Sequence, residues 1–147
     1  MLYVGIDPGQ SGGLAWVNTN GVPTAIAFSK VTEKDLWIDP LSRLDALTAY
    51  AMIENVHSMP KQGVASSFKF GRNFGKIEGL LIASSVPYEL VSPQVWQRRM
   101  GCLTHGDKNV SKAAAQRLFP QLKITHAIAD ALLIAEYCRR TVIERTP

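Results

Sequence analysis

Three carboxylates stand where apolar residues would be expected. Asp7 follows the apolar run at residues 2–6, Glu54 ends Ala51-Met52-Ile53, and Asp130 interrupts an alanine- and leucine-rich stretch running from Ala127 to Ala135. A carboxylate in apolar surroundings is costly unless it is paired. Each has a separate structural explanation: an Asx turn for Asp7, an arginine partner for Glu54, a helix start for Asp130. If the three instead converge, they cannot all stay ionised without cations. Oxygen ligands of this kind select Mg²⁺ or Mn²⁺. Two such ions about 4 Å apart can stabilise the attacking and leaving oxygens of an in-line phosphoryl displacement.

Convergence depends on the elements. Residues 2–6 form a β-favouring run that Pro8-Gly9 must turn. A second strand is expected at 13–18, and Asn20-Gly21 leads into a third near 22–28, giving an antiparallel meander. Thr32 and Asp35 make a helix start; that helix is expected to carry Leu36, Trp37, Leu41, Leu44 and Leu47, kinked or divided at Pro40. Residues 50–56 read as a buried strand with Glu54 near its end, followed by a loop at 57–63. A helix over 66–85 places Gly71, Gly75, Gly79 and Ala83 on one face. Each interior glycine costs about 1 kcal/mol against alanine, so that face implies close approach to a sheet or to a second subunit. Lys69, Arg72 and Lys76 fall on a different face, and Phe70 and Phe74 are one turn apart.

A strand at 88–91 follows, then a short helix opened by Ser92-Pro93 and holding Trp96, Arg98 and Arg99. Beyond a loop at 101–107, a basic amphipathic helix spans 108–118 and Pro120 stops it. A last helix runs from near Thr125 to about Glu144. A meander followed by strands alternating with helices implies a single α/β domain over 1–147, a mixed five-stranded sheet flanked by helices.

Composition narrows the function classes. Hydrophobic residues are 46% and charged residues 19%, which rules out a disordered chain. The net charge of +4 is compatible with a phosphate-bearing partner. Cys102 and Cys138 are far apart with no metal-ligand spacing and read as reduced structural thiols. With no secretory leader pattern and no apolar run near the roughly 20 residues of a membrane span, a soluble cytoplasmic protein is expected.

Gly5-Ile-Asp-Pro-Gly9 with Ser11-Gly12, then Ile53-Glu-Asn-Val-His57, then Ala129-Asp-Ala-Leu-Leu-Ile-Ala135 resemble the three signature blocks of RuvC-type Holliday junction resolvases, of the RNase H-like superfold. The stretches 62–71 and 91–96 resemble the compact phage and prophage branch of that family. Asp7-Pro8-Gly9 alone also resembles the first strand of actin-type ATPases, but those folds need two domains and several phosphate loops, so no nucleotide cofactor is expected.

The resemblance implies that Asp7, Glu54 and Asp130 bind two Mg²⁺ or Mn²⁺ ions, and that Lys108 lies near the scissile phosphate. It places His57 where some relatives carry an aromatic that inserts at the junction centre; the alternative is a loop histidine without special role. Lys69, Arg72 and Lys76, with Lys108 and Lys112 of the later basic helix, are expected at DNA phosphates, or else form solvated helix faces. The family's fourth carboxylate, one turn before the last, is missing. His126 lies four residues before Asp130 on the same face and either supplies the fourth ligand through imidazole or merely starts the helix. The implied activity is junction resolution by metal-dependent hydrolysis, with paired nicks made by a C2 homodimer. The missing carboxylate leaves room for a catalytically weak or inactive branched-DNA binder, and a nuclease with little junction preference is a further variant.

Overall fold

The computed structural model describes residues 1–38, 44–45, 47–57 and 63–146. Five strands form one sheet: β1 (Leu2–Asp7), β2 (Gly13–Asn18), β3 (Pro23–Ala27), β4 (Ala49–Glu54) and β5 (Tyr88–Val91), in the order β3-β2-β1-β4-β5. The β1–β2 and β2–β3 pairs are antiparallel, and the β1–β4 and β4–β5 pairs are parallel. The helices are α1 (Glu33–Ile38), α2 (Val64–Ala83), α3 (Pro93–Arg99), α4 (Lys108–Leu118) and α5 (His126–Arg145). This is the expected α/β arrangement, meander first and parallel strands after.

Side-chain alternation assigns each face of the sheet to its own core. Tyr3, Ala15, Val17 and Met52 pack with Trp96 of α3, Ala114 and Ala115 of α4, and the α5 run 131–135. Val4, Ile6, Leu14, Ala51 and Ile53 pack on the other face with Leu36 of α1 and with Ile77 and Leu81 of α2. Helix α5 lies against the middle of the sheet because glycines let it. A Cβ at Gly5 would fall 2.3 Å from the Ala131 carbonyl oxygen, and one at Gly13 would fall 2.9 Å from that of Ala127.

Two expectations need correction. The helix opened by Thr32 begins as expected, with Thr32 and Asp35 bonded reciprocally, but it does not extend to Leu47. Leu44 is buried outside any helix, and Leu47 is 88% exposed in a turn. The Asp45 carboxylate accepts from the backbone N–H groups of Leu47 and Thr48, both at 2.9 Å, and so offers the chain an alternative to helix. Leu41, the kink or division at Pro40 and the loop residues 58–62 lie outside the described residues. The second correction concerns the glycine stripe. Gly71, Gly75 and Gly79 face outward, where an added Cβ would meet no atom of the described residues within 4 Å, so close approach to the sheet is not their reason.

Candidate active site

The register of the parallel pair β1–β4 sets Ile6 beside Ile53, so Asp7 and Glu54 follow level with each other at the strands' C-terminal ends. Both have the parity of the residues that face α5: Tyr3 and Gly5 on β1, Met52 on β4. Asp130 descends from α5 between Ala127, which lies over Gly13, and Ala131, which lies over Gly5. The three carboxylates therefore come together from two strand ends and one helix. Their electrostatics reflect it: burial does most to raise Asp7 and Glu54, and the charge of Asp130 adds to it at Asp7, as those of Asp7 and Asp130 do at Glu54.

Asp7 sits in the Asx turn that the sequence allowed, its Oδ1 accepting from Gly9 N at 3.1 Å. Gly12 closes in from the other side, where a Cβ would fall 2.8 Å from Asp7 Oδ2 and 2.3 Å from its carbonyl oxygen. Asn73 of α2 donates through Nδ2 to the Pro8 carbonyl at 2.6 Å and ties that helix to the turn. Burial pushes the Asp7 carboxyl above its usual range, against the pull of the Gly9 amide and Lys108.

Glu54 is buried, and its partner is not an arginine: Trp96 Nε1 donates to Oε1 at 2.9 Å. Burial and the neighbouring Asp7 push Glu54 up to about 7, with Trp96 and Lys108 opposing. Asp130 is likewise raised by burial, with Ser111, Lys108 and His126 pulling the other way. Its Oδ1 is buried and has no hydrogen-bond partner among the described residues.

Asp7, Asp130, Lys108 and His126 line a cleft of about 470 Å³, with Ser66 and Phe70 of α2 on its far wall. Lys108 opens α4, whose N-cap Asp107 accepts from Asn109 N at 2.9 Å. His126 is the first residue of α5 and exposed, so the helix-start position and the cleft position are both true of it. Lys112 lies one turn after Lys108, half-buried. Lys69, Arg72 and Lys76 line a neighbouring groove that shares Gln10 with the cleft, and Lys76 is ion-paired there with Glu33. His57 is exposed in a third groove with Phe70 and Phe74, and Phe70 also walls the cleft. Cys102 and Cys138 are free and buried, and burial raises their thiols to about 11 and about 12.

Among the described residues, no three His, Cys, Asp or Glu side chains form a ready-made ion cage. Mg²⁺ does not require one, because it commonly takes one or two carboxylates and completes its shell with water and substrate phosphate. The residues fit such an ion on two counts: an unpartnered buried oxygen on Asp130, and three carboxyls whose charged forms burial opposes.

Site residues that the sequence does not announce are Trp96 at Glu54, Ser111 at Asp130, and Asn73, which bonds the Pro8 carbonyl next to Asp7. Trp96 carried one usable signal, since a buried indole N–H needs an acceptor. Among the described residues no helix is long and apolar enough to cross a membrane.

Neither a protein-family model nor a curated protein matches the sequence. Among solved structures, the chain is similar to RuvC from Thermus thermophilus at 18% identity and a TM-score of 0.65, over 99% of this chain and 96% of that one. It is similar also to T. thermophilus RuvC in complex with Holliday junction substrate, at 17% identity and a TM-score of 0.66, with the same coverage. The chain thus has the fold of RuvC, the RNase H-like mixed sheet flanked by helices, over nearly its whole length.

Proposed function

We propose that this chain is a divalent-cation-dependent endonuclease that resolves four-way DNA junctions by paired nicks, working as a homodimer with one nuclease domain in residues 1–147. The observation that carries the reading is the meeting of Asp7, Glu54 and Asp130 beneath α5, beside an open cleft that Lys108 overlooks. The substrate is taken over from the similar RuvC whose structure holds a Holliday junction.

In this reading Asp7, Glu54, Asp130 and His126 hold two Mg²⁺ or Mn²⁺ ions. When bound, the ions supply Lewis-acid charge at the phosphate. A water gives up a proton to solvent and its oxygen bonds to phosphorus as the bond to O3′ breaks and O3′ takes up a proton, leaving the 5′-phosphate and 3′-hydroxyl that the family resemblance implies. Lys108 offers a compact positive charge to the phosphate as its negative charge shifts. Gly12 and the Gly9 amide keep the Asp7 carboxylate at the mouth of the cleft. Lys69, Arg72 and Lys76, in the groove sharing Gln10 with the cleft, carry a DNA arm away from it, and Lys112 extends the basic surface of α4. His57, beside Phe70 and Phe74, meets bases near the junction centre.

Two nicks related by twofold symmetry call for two copies. The outward stripe of Gly71, Gly75 and Gly79, with exposed Val64, Phe68 and Ile82 on the same helix, is the surface proposed for the second copy. A Gly75→Leu protein that remained dimeric and cut junctions normally would count against that surface.

Supercoiled plasmid carrying an extruded cruciform tests the reading. Paired nicks within one binding event yield linear plasmid in Mg²⁺ or Mn²⁺, and Asp130→Asn leaves the plasmid supercoiled. Nicked circles alone contradict paired cutting. The absence of a family-type fourth carboxylate at 126–127 favours one second reading, a branched-DNA binder with weak chemistry. Tight cruciform binding with no cleavage in either metal would select it.

A further inference from the structure

Trp96 is wholly buried, at 0% exposure, among Met52, Val91, Cys102 and Leu133. Space alone does not explain a tryptophan there. A phenylalanine brings aromatic bulk without a polar atom, whereas an indole brings one N–H that must find an acceptor. That N–H is directed at Glu54 Oε1, 2.9 Å away and 42 positions earlier in the chain. The element that carries it is fixed at its start. Pro93 occupies the first turn of α3 directly after β5, and β5 is paired with β4, the strand that ends in Glu54.

A carboxylate's last torsion is soft and two-fold, so a buried glutamate can present either oxygen, or neither, to a cleft. A hydrogen bond from a rigid ring to one oxygen removes that freedom. We propose that Trp96 is a positioning residue for Glu54, its hydrogen bond to Oε1 fixing the orientation in which that carboxylate would ligate a divalent cation. The proposal rests on the reading of Glu54 as a cation ligand and adds to it the group that orients the ligand. Outer partners of this kind commonly carry about 10- to 100-fold of metal affinity or activity.

The test is Trp96→Phe, which keeps the aromatic bulk and removes the donor. Calorimetric titration with Mn²⁺ should show affinity about 10- to 100-fold weaker than wild type. The KM for a four-way junction should hold while kcat falls. In a Glu54→Ala background, Trp96→Phe should bring no further loss of Mn²⁺ affinity, because the tryptophan acts through that carboxylate. A second measurement keeps Trp96 in place and so does not depend on Trp96→Phe folding. With Trp16 and Trp37 replaced by phenylalanine, Trp96 is the lone tryptophan of the chain's three, and excitation at the red edge of indole absorption leaves the tyrosines dark. The Trp96 emission should change on Mg²⁺ titration and saturate with the calorimetric heat. A folded Trp96→Phe protein with Mn²⁺ affinity and kcat within about twofold of wild type overturns the proposal, as does Trp96 emission unmoved while the same sample binds Mg²⁺. Wild-type protein that binds no divalent cation, with or without junction, overturns both this proposal and the functional reading beneath it.

Discussion

Gly5 lies directly beneath the backbone of Ala135: a Cβ on Gly5 would fall 2.1 Å from the Ala135 amide nitrogen. The clash would be with main chain in the middle of α5, which cannot rotate aside. This contact sets the depth of α5 on the sheet, and with it the descent of Asp130 toward Asp7. Gly5→Ala is therefore expected to destabilise the protein by at least about 3 kcal/mol, the upper end of what overpacking a core costs. Urea unfolding followed by circular dichroism measures it. A loss below about 1 kcal/mol would mean that α5 can lift without consequence.

The carboxylates should make the cation-free protein less stable as pH rises. Asp7, Glu54 and Asp130 are all raised by burial, so their contribution to stability is full when they are protonated and is lost as pH climbs through the raised values, about 7 for Glu54. In EDTA at pH 8, Asp130→Asn should unfold about 2–4 °C higher than wild type, the equivalent of about 1 kcal/mol. Added Mg²⁺ should raise the wild-type Tm and raise that of the variant much less. Equal Tm values in EDTA, together with equal responses to Mg²⁺, would contradict the placement of cations at Asp130.

A second titration runs the opposite way. Glu136 is buried, which alone would raise its carboxyl, but Arg139 and Arg140 bond to it and hold it below the usual range. Its stabilisation is present above the ordinary carboxylate value of 4.5 and is lost as pH falls through the depressed one. Glu136→Gln should cost about 1.5–3 kcal/mol at neutral pH, as charge-assisted bonds do, and the difference from wild type should close in acid. Paired urea titrations at pH 7 and pH 3 measure both. A deficit that persisted undiminished at the lower pH would assign it to packing instead.

The role of His126 is testable by exchange. If imidazole stands in for the family's fourth carboxylate, His126→Ala should need about tenfold more Mn²⁺ for half-maximal cutting, the equivalent of about 1.4 kcal/mol of ligand binding. His126→Asp should recover cutting and shift the preference toward Mg²⁺, the harder ion. Metal-concentration curves for the three proteins on one junction decide it. Indistinguishable curves would leave His126 as a helix-start residue only.

The succession of elements, a meander and then strands alternating with helices, follows from features short in sequence: apolar runs and one Asn-Gly hairpin. That Asp7 and Glu54 end neighbouring strands does not, because it needs the β1–β4 pairing. What was not legible depends on contacts between distant elements. That Trp96 rather than an arginine meets Glu54 requires knowing that α3 folds back beside β4. The glycines of α2 share a face by periodicity, but periodicity does not say what the face looks at, and it looks outward. That the helix does not reach Leu47 has a local counterpart, since the Asp45 side chain takes the backbone N–H groups of Leu47 and Thr48. Gly5 and Gly12 were visible within the first signature block. The reason for them is steric, a helix backbone over one and a carboxylate against the other.

The central claim is tested most directly by incubating the protein with an end-labelled synthetic four-way junction and with matched linear duplex, in Mg²⁺, in Mn²⁺ and in EDTA, beside Asp7→Asn. The account predicts symmetric nicks in the junction alone, absent in EDTA and absent with the variant. Equal cutting of the linear duplex, or junction cutting that survives both EDTA and Asp7→Asn, would contradict it.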